Sequence, residues 1–237
     1  MINSVMLALA SGVVATFLGI LFALLVRAKE ESQVNAVLGF SAGFMLAMVA
    51  FDMLPCAIGQ SNVVVVALSL VISLVIIALV ARLIDGKVQS KAQGRPDYGT
   101  GIIILLAMSL HDLPEGIALG ALETLKTSTA FTILLASHNV IEGVAIGATL
   151  RASKFENKSV IISGLLAGAP TVLGAIIGYG VSGISKTFLA ISLAVASGAM
   201  LFVVFKELLN DVYRDGEKSW AGVLVGTIIG MITVFVV

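Results

Sequence analysis

Eight stretches of this chain, at about 2–26, 34–58, 61–81, 99–123, 127–150, 158–183, 187–209 and 219–237, stay apolar over close to or beyond the ~20 residues that cross the hydrocarbon of a bilayer. Inside hydrocarbon every backbone N–H and C=O must find its partner within the chain, which leaves helices and closed barrels as the spanning structures. A barrel strand alternates apolar and polar positions, whereas these runs are continuously apolar and rich in Leu, Ala, Val, Ile and Gly. The fold class is therefore all-α: a polytopic membrane protein of eight transmembrane helices, helix 1 to helix 8 in the order given. With 59% hydrophobic and 12% charged residues and a mean hydropathy of +1.10, an ordinary soluble domain of this length is excluded.

Residues 1–237 read as a single transmembrane domain with the lipid bilayer as its partner, and a formal net charge of zero gives no sign of nucleic acid. Nothing positive precedes the first run while Arg27 and Lys29 follow it, so it reads as helix 1 and not as a cleaved leader. The single cysteine, Cys56, excludes an intrachain disulfide or a Cys-based metal cluster. Of 14 Lys and Arg, 11 fall in the connections after helices 1, 3, 5 and 7. By the positive-inside rule those connections are cytoplasmic and both termini face outward, with the longest cytoplasmic loop at about 82–98.

Both histidines of the chain lie in nearly matching segments inside apolar spans: His111-Asp112-Leu113-Pro114-Glu115-Gly116 in helix 4 and His138-Asn139-Val140-Ile141-Glu142-Gly143 in helix 5. Residues i and i+4 of a helix project from one face, so His111 with Glu115 and His138 with Glu142 can each grip a common ion. Asp112 and Asn139 add oxygen beside them. The ionisable residues within the spans are few, namely Asp52, His111, Asp112, Glu115, His138, Glu142, Lys206 and Glu207, and each costs roughly 2.5–3.5 kcal/mol at the centre of an isolated inserting helix. The five acids among them would repel one another unless protons or a cation neutralise them, and a divalent cation does so with few ligands. The alternative is a polar network that only ties helices together. Imidazole suits Zn and Fe and carboxylate admits Mn, whereas a pure Mg or Ca site needs no histidine. Pro114 removes a backbone hydrogen bond and frees the Leu110 carbonyl near the pair, or simply kinks the helix.

Gly116 with Gly120 and Gly143 with Gly147 form small-xxx-small faces that bring helices 4 and 5 close to their neighbours, or form a lipid-facing seam between two copies in a homodimer. The chain also repeats internally. An offset of 155 pairs Gly43, Met45, Leu46, Val49, Asp52 and Leu54 of helix 2 with Gly198, Met200, Leu201, Val204, Glu207 and Leu209 of helix 7, and pairs Thr16, Leu18 and Gly19 of helix 1 with Thr171, Leu173 and Gly174 of helix 6. Five further crossings separate the partners, so they run in opposite senses. That is an inverted repeat of helices 1–3 and 6–8 around helices 4–5. Met45 and Asp52, like Met200 and Glu207, are seven apart and share a helix face. Asp52 and Glu207 then mark mouths of a route. Lys206 opposes metal passage if it faces that route, and is expected instead to point away, snorkelling or pairing elsewhere.

The His-x-x-Pro-Glu-Gly and His-Asn-x-x-Glu-Gly motifs, eight spans with both ends out, and the shared Gly-x-Met-Leu of helices 2 and 7 together resemble the ZIP (zinc- and iron-regulated transporter-like) family of divalent metal transporters, bacterial type. The resemblance covers essentially the whole chain. It implies an integral protein of the bacterial cytoplasmic (inner) membrane and metal movement toward the cytoplasm through a two-metal-capable site. It assigns His111, Glu115, His138, Glu142 and Met45 to the main ion, and Asp112, Asn139, Glu115 and Glu142 to the adjoining one. Three departures stand out: Thr171 where many relatives have a glutamate, Asp112 and Asn139 exchanged relative to the common order, and Lys206 where a histidine often precedes the helix 7 acid. The 82–98 loop also lacks the histidines that many relatives carry.

The expected activity is transport of Zn(II), with Fe(II), Mn(II), Co(II) and Cd(II) as further substrates, by alternating access and with no cofactor. No Gly-x-x-x-x-Gly-Lys-Ser/Thr stretch points to ATP. The rival readings are a channel-like cation pore, for which rings of acids would suffice, and an intramembrane metal-dependent enzyme. The latter lacks His-Glu-x-x-His and Glu-x-x-His motifs and has only two histidines.

Overall fold

The computed structural model describes residues 2–26, 31–91, 96–123, 128–181, 185–215 and 217–237. These form eight helices and, among the described residues, no strand: α1 (Ile2–Val26), α2 (31–60), α3 (Val63–Lys91), α4 (Pro96–Glu123), α5 (Ser128–Ala152), α6 (Asn157–Val181), α7 (186–215) and α8 (Glu217–Val236). Seven contain described stretches long and apolar enough to cross a membrane, and α4, which carries the His111 motif, has 28 residues, about 42 Å at 1.5 Å per residue. Of the expected 82–98 loop, 82–91 continue α3 and 96–98 open α4, while 92–95 lie outside the described residues. Hydropathy marks where the apolar run ends, and a helix can continue past that point with polar residues.

The helices pack as the repeat requires. α1 lies on α5 and α4 on α6; α2 lies on α8 and α3 on α7; α2 meets α5 and α4 meets α7. The offset of 155, with the offset of 27 that pairs His111, Glu115 and Gly116 of α4 with His138, Glu142 and Gly143 of α5, carries each contact into its partner. The backbone irregularities obey the same relation, because α2 has a π turn at Val49–Met53 and α7 has one at Val204–Leu208. α1 has its π turn at Leu9–Val14, and α6 breaks at the corresponding Gly168. The seven-residue spacing of Met45 to Asp52 and Met200 to Glu207 runs into these wider turns, which change the phase between the two residues. Each methionine is buried, whereas Asp52 and Glu207 are only partly so.

Glycine sets the closeness of the helices. A Cβ on Gly143 would run into the Thr16 carbonyl, and one on Gly116 into the Thr171 carbonyl. Gly19 and Gly174 sit in the same way on the carbonyls of Val140 and Leu113, and Gly43 and Gly226 on those of Val223 and Phe40. Contacts of this kind bring Cα–H groups to carbonyls, worth about 0.5–1 kcal/mol each. The four motif glycines therefore face α1 and α6 of their own chain, which corrects the alternative of a lipid-facing homodimer seam at these positions.

Those seams divide the molecule. Every described glycine with a close neighbour abuts a helix of its own set, α1, α4, α5 and α6 in one and α2, α3, α7 and α8 in the other. Among the seven spans of described residues, those of α2, α5 and α7 are the most buried, at 67%, against 11% for α3 and 17% for α8. Val64, Leu68, Ile72, Val75 and Leu79 of α3 point outward, an apolar surface that water does not tolerate and lipid does.

Gly143→Val and Gly19→Val should each lower the stability of the detergent-solubilised protein by at least the 1–3 kcal/mol typical of overpacking, read as a lower thermal transition. Gly59→Ala, whose Cβ meets nothing within 4 Å, should leave it unchanged or slightly raised. Equal transitions for all three would contradict the seams.

Candidate metal centre

α4 and α5 bring their two motifs face to face near the middle of their lengths. His111, Asp112, Glu115, His138, Asn139 and Glu142 are all at most 2% exposed. Spacing and seams explain the convergence: each i, i+4 pair projects from one face, while the glycine that follows each glutamate locks its helix against α6 or α1. α4 runs as a regular α-helix through Pro114, so the proline leaves no break beside the site.

The imidazole nitrogens lie among carboxylate oxygens. His111 Nε2 is 3.6 Å from Asp112 Oδ1, 3.9 Å from Glu115 Oε1 and 3.7 Å from Glu142 Oε2. His138 Nε2 is 3.8 Å from Glu115 Oε2 and 3.6 Å from Glu142 Oε2. The two rings stack with centroids 5.8 Å apart and 19° between planes. These separations are too long for hydrogen bonds, which run about 2.7–3.2 Å. They match the edge of a coordination shell: two ligands each ~2.1 Å from a tetrahedral ion stand about 3.4 Å apart, and wider angles lengthen that edge. Ligand atoms from His111, Asp112, Glu115 and His138 all fall within 4.8 Å of one another. Glu115 and Glu142 each approach both histidines, so both carboxylates are placed to bridge.

The polar atoms of this cluster are short of donors. Both carboxylate oxygens of Asp112, Glu115 and Glu142, together with Asn139 Oδ1, are buried without a hydrogen-bond partner among the described residues. Asp112 stands directly against Glu142. Buried charge without compensation is too costly to persist in an apolar interior. A divalent cation seated among these atoms would remove that cost, and the donor set of imidazole and carboxylate suits a transition metal.

The remaining predicted residues are placed as follows. Thr171 of α6 is fully buried, and its hydroxyl lies beside Asp112. Met45 and Met200 belong to the buried apolar core. Asp52 sits in the π turn of α2 with one oxygen, Oδ2, buried and without a hydrogen-bond partner. Glu207 sits in the equivalent turn of α7 and is held at 2.8 Å by Lys206 Nζ, which also lies 5.6 Å from the Phe202 ring centre. Lys206 thus pairs with its neighbour, where the expectation had it pointing away. Sequence reasoning missed α1. Asn139 Nδ2 donates to the Ser11 carbonyl at 2.7 Å, and Thr16, the counterpart of Thr171, is fully buried with its hydroxyl unpartnered. The adjacent Ser11 and Gly12 in an apolar helix were the one signal available.

Comparison with known proteins agrees with this geometry. The chain matches the family model for the ZIP zinc transporter over residues 85–236. It is 30% identical over 229 residues to the zinc transporter ZIPB of Bordetella bronchiseptica, covering 90% of this chain and 74% of that protein. It is 28% identical to the zinc transporter ZupT of Corynebacterium aurimucosum, covering 95% and 92%, and 27% identical to the zinc transporter GufA of Myxococcus xanthus, covering 60% and 58%. A family match over more than half of the chain, containing both histidine motifs and joined by a relative of the same kind that covers 90% of the chain, leads to one conclusion: the protein belongs to the ZIP zinc transporter family.

Proposed function

We propose that the protein carries Zn(II), with Fe(II), Mn(II), Co(II) and Cd(II) as further substrates, across the bacterial cytoplasmic membrane toward the cytoplasm. The observation that carries this reading is the buried cage itself: two imidazoles among three carboxylates at coordination-edge separations, with the buried Asn139 amide next to His138 in sequence, in the middle of two spans. His111, Glu115, His138 and Glu142 hold the ion in transit, with Met45 beside them. Asp112, Asn139 and the bridging glutamates form the adjoining position, where Thr171 brings a hydroxyl and no charge. Asp52 and Glu207, with Met200, mark the route on either side.

The two helix sets supply the motion. Glycine seams bind each set backbone to backbone, whereas the sets meet without such a seam, so one can move against the other and alternate access to the cage. Metal release exchanges the ion for protons on carboxylates that cannot stay charged and empty at that depth. With 11 of 14 basic residues in the odd connections, both termini lie outside. Catalysis is disfavoured by the ligand count, since two histidines and bridging acids leave no evident open position for a substrate.

Glu115→Ala and Glu142→Ala should each reduce zinc uptake into proteoliposomes to background while membrane insertion persists; His138→Ala should weaken uptake and broaden metal choice. Near-normal uptake by either glutamate variant would sink the assigned site. Flux through the wild type should saturate with zinc concentration, whereas linear, very fast flux would favour a pore.

Zinc at a hundred times its dissociation constant should stabilise the purified protein by about 2.7 kcal/mol, and Glu142→Ala should abolish that shift. Metal analysis should find one tightly held ion per protomer, rising toward two in Thr171→Glu. Two ions in the wild type would contradict the role given to Thr171.

Single cysteines made by Lys91→Cys and Val237→Cys in a Cys56→Ser background should label from opposite sides, the first only from the cytoplasm. Labelling of both from outside would refute the orientation.

A further inference from the structure

Asp112 and Asn139 occupy positions made equivalent by the 27-residue offset, yet one is a carboxylate and the other an amide. The reason lies in α1. Its π turn, Leu9–Val14, departs from the regular i→i+4 ladder. The Ser11 carbonyl within that turn accepts a hydrogen bond from Asn139 Nδ2 at 2.7 Å, with both groups buried. An amide has a donating end and an accepting end. The bond to Ser11 uses the donating end and leaves Oδ1, buried and without a donor, as the end open to a cation.

The same turn reaches the other half of the site. A Cβ on Gly12 would fall 2.7 Å from the Thr171 Cβ, and the Thr171 hydroxyl, buried and without a hydrogen-bond partner among the described residues, lies beside Asp112. The neighbour there is a hydroxyl able to donate, and the site residue is a carboxylate able to accept. Exchange of the two side chains would set a carboxylate against the Ser11 carbonyl, two acceptors at hydrogen-bonding distance with no proton between them.

We infer that the π turn of α1 is a positioning element: through the Ser11 carbonyl on one side and Gly12 against Thr171 on the other, it requires an amide at 139 and a carboxylate at 112. The two residues are then not interchangeable, although exchanging them keeps the total charge of the cage. This rests on reading the cage as a metal site.

The test is the exchange itself, Asp112→Asn with Asn139→Asp, in the purified full-length protein. Zinc affinity is measured by competition with a chromophoric chelator, and ligand geometry by the visible spectrum of bound Co(II). Loss of an orienting partner typically lowers metal affinity about 10- to 100-fold. The exchanged protein should show a drop of that order and an altered Co(II) spectrum, while Gly59→Ala, whose Cβ would meet nothing within 4 Å, should match the wild type. Wild-type affinity and spectrum in the exchanged protein would show that charge alone matters and overturn the inference. Failure of the wild type to bind either metal would instead overturn the metal site beneath it. Should the exchanged protein not fold, Gly12→Ala decides, since it shifts the turn against Thr171 without touching a ligand: weaker zinc binding at unchanged stoichiometry is expected, and unchanged affinity would overturn the positioning role.

Discussion

Three carboxylates packed together in an apolar interior are the constraint on which the rest of this molecule depends. Charges at that depth cannot be left to water, and Asp112 against Glu142 with Glu115 close by is an arrangement stable only when a cation or protons occupy it. The histidines make the occupant selective, because imidazole adds nothing for magnesium or calcium and much for zinc. In the proposed mechanism energetic need and transport coincide: a site that must always be neutralised would exchange one neutralising species for another as its exposure changes.

The proposed transport needs walls that move without the cage falling apart. Glycine keeps the cage together by location. Gly116 and Gly143, each next to a bridging glutamate, lock α4 to α6 and α5 to α1, so all six cage residues ride on one set of helices. The other set, α2, α3, α7 and α8, carries the lipid-facing bulk of α3 and α8 and the acids at the two π turns. In the proposed alternating-access mechanism, the pseudo-symmetry between halves would give each side of the membrane a version of the same gate.

Much of this was legible in the sequence because hydrocarbon enforces simple rules. Span number, the pairing of His111 with Glu115 and of His138 with Glu142, and the 155-residue repeat all follow from apolar length, the 3.6-residue period and residue identity. What escaped was backbone irregularity. A π turn has no compositional signature, so the widened turns at Leu9, Val49 and Val204 could not be foreseen, nor could the Ser11 carbonyl that holds Asn139. Polar helix beyond the apolar run, as at 82–91, is likewise invisible to a hydropathy argument. The partner of Lys206 depended on side-chain reach across the adjacent position, which periodicity does not report.

The repeat is not perfect, and one inequality has an electrostatic consequence. The residue equivalent to Lys206 is Phe51, so the acid of the α7 turn is paired with a cation while no lysine stands beside that of the α2 turn. In the proposed orientation, with α2 ending at the outer face, the proposed route would present a carboxylate with one buried, unpartnered oxygen from outside and an ion pair from inside. Divalent cations would gather more readily at the first and dwell less at the second. Fixed charges cannot set the direction of net flux, which belongs to the gradients, but in the proposed carrier they would make the two apparent affinities unequal and so rectify the rates at which it fills and empties.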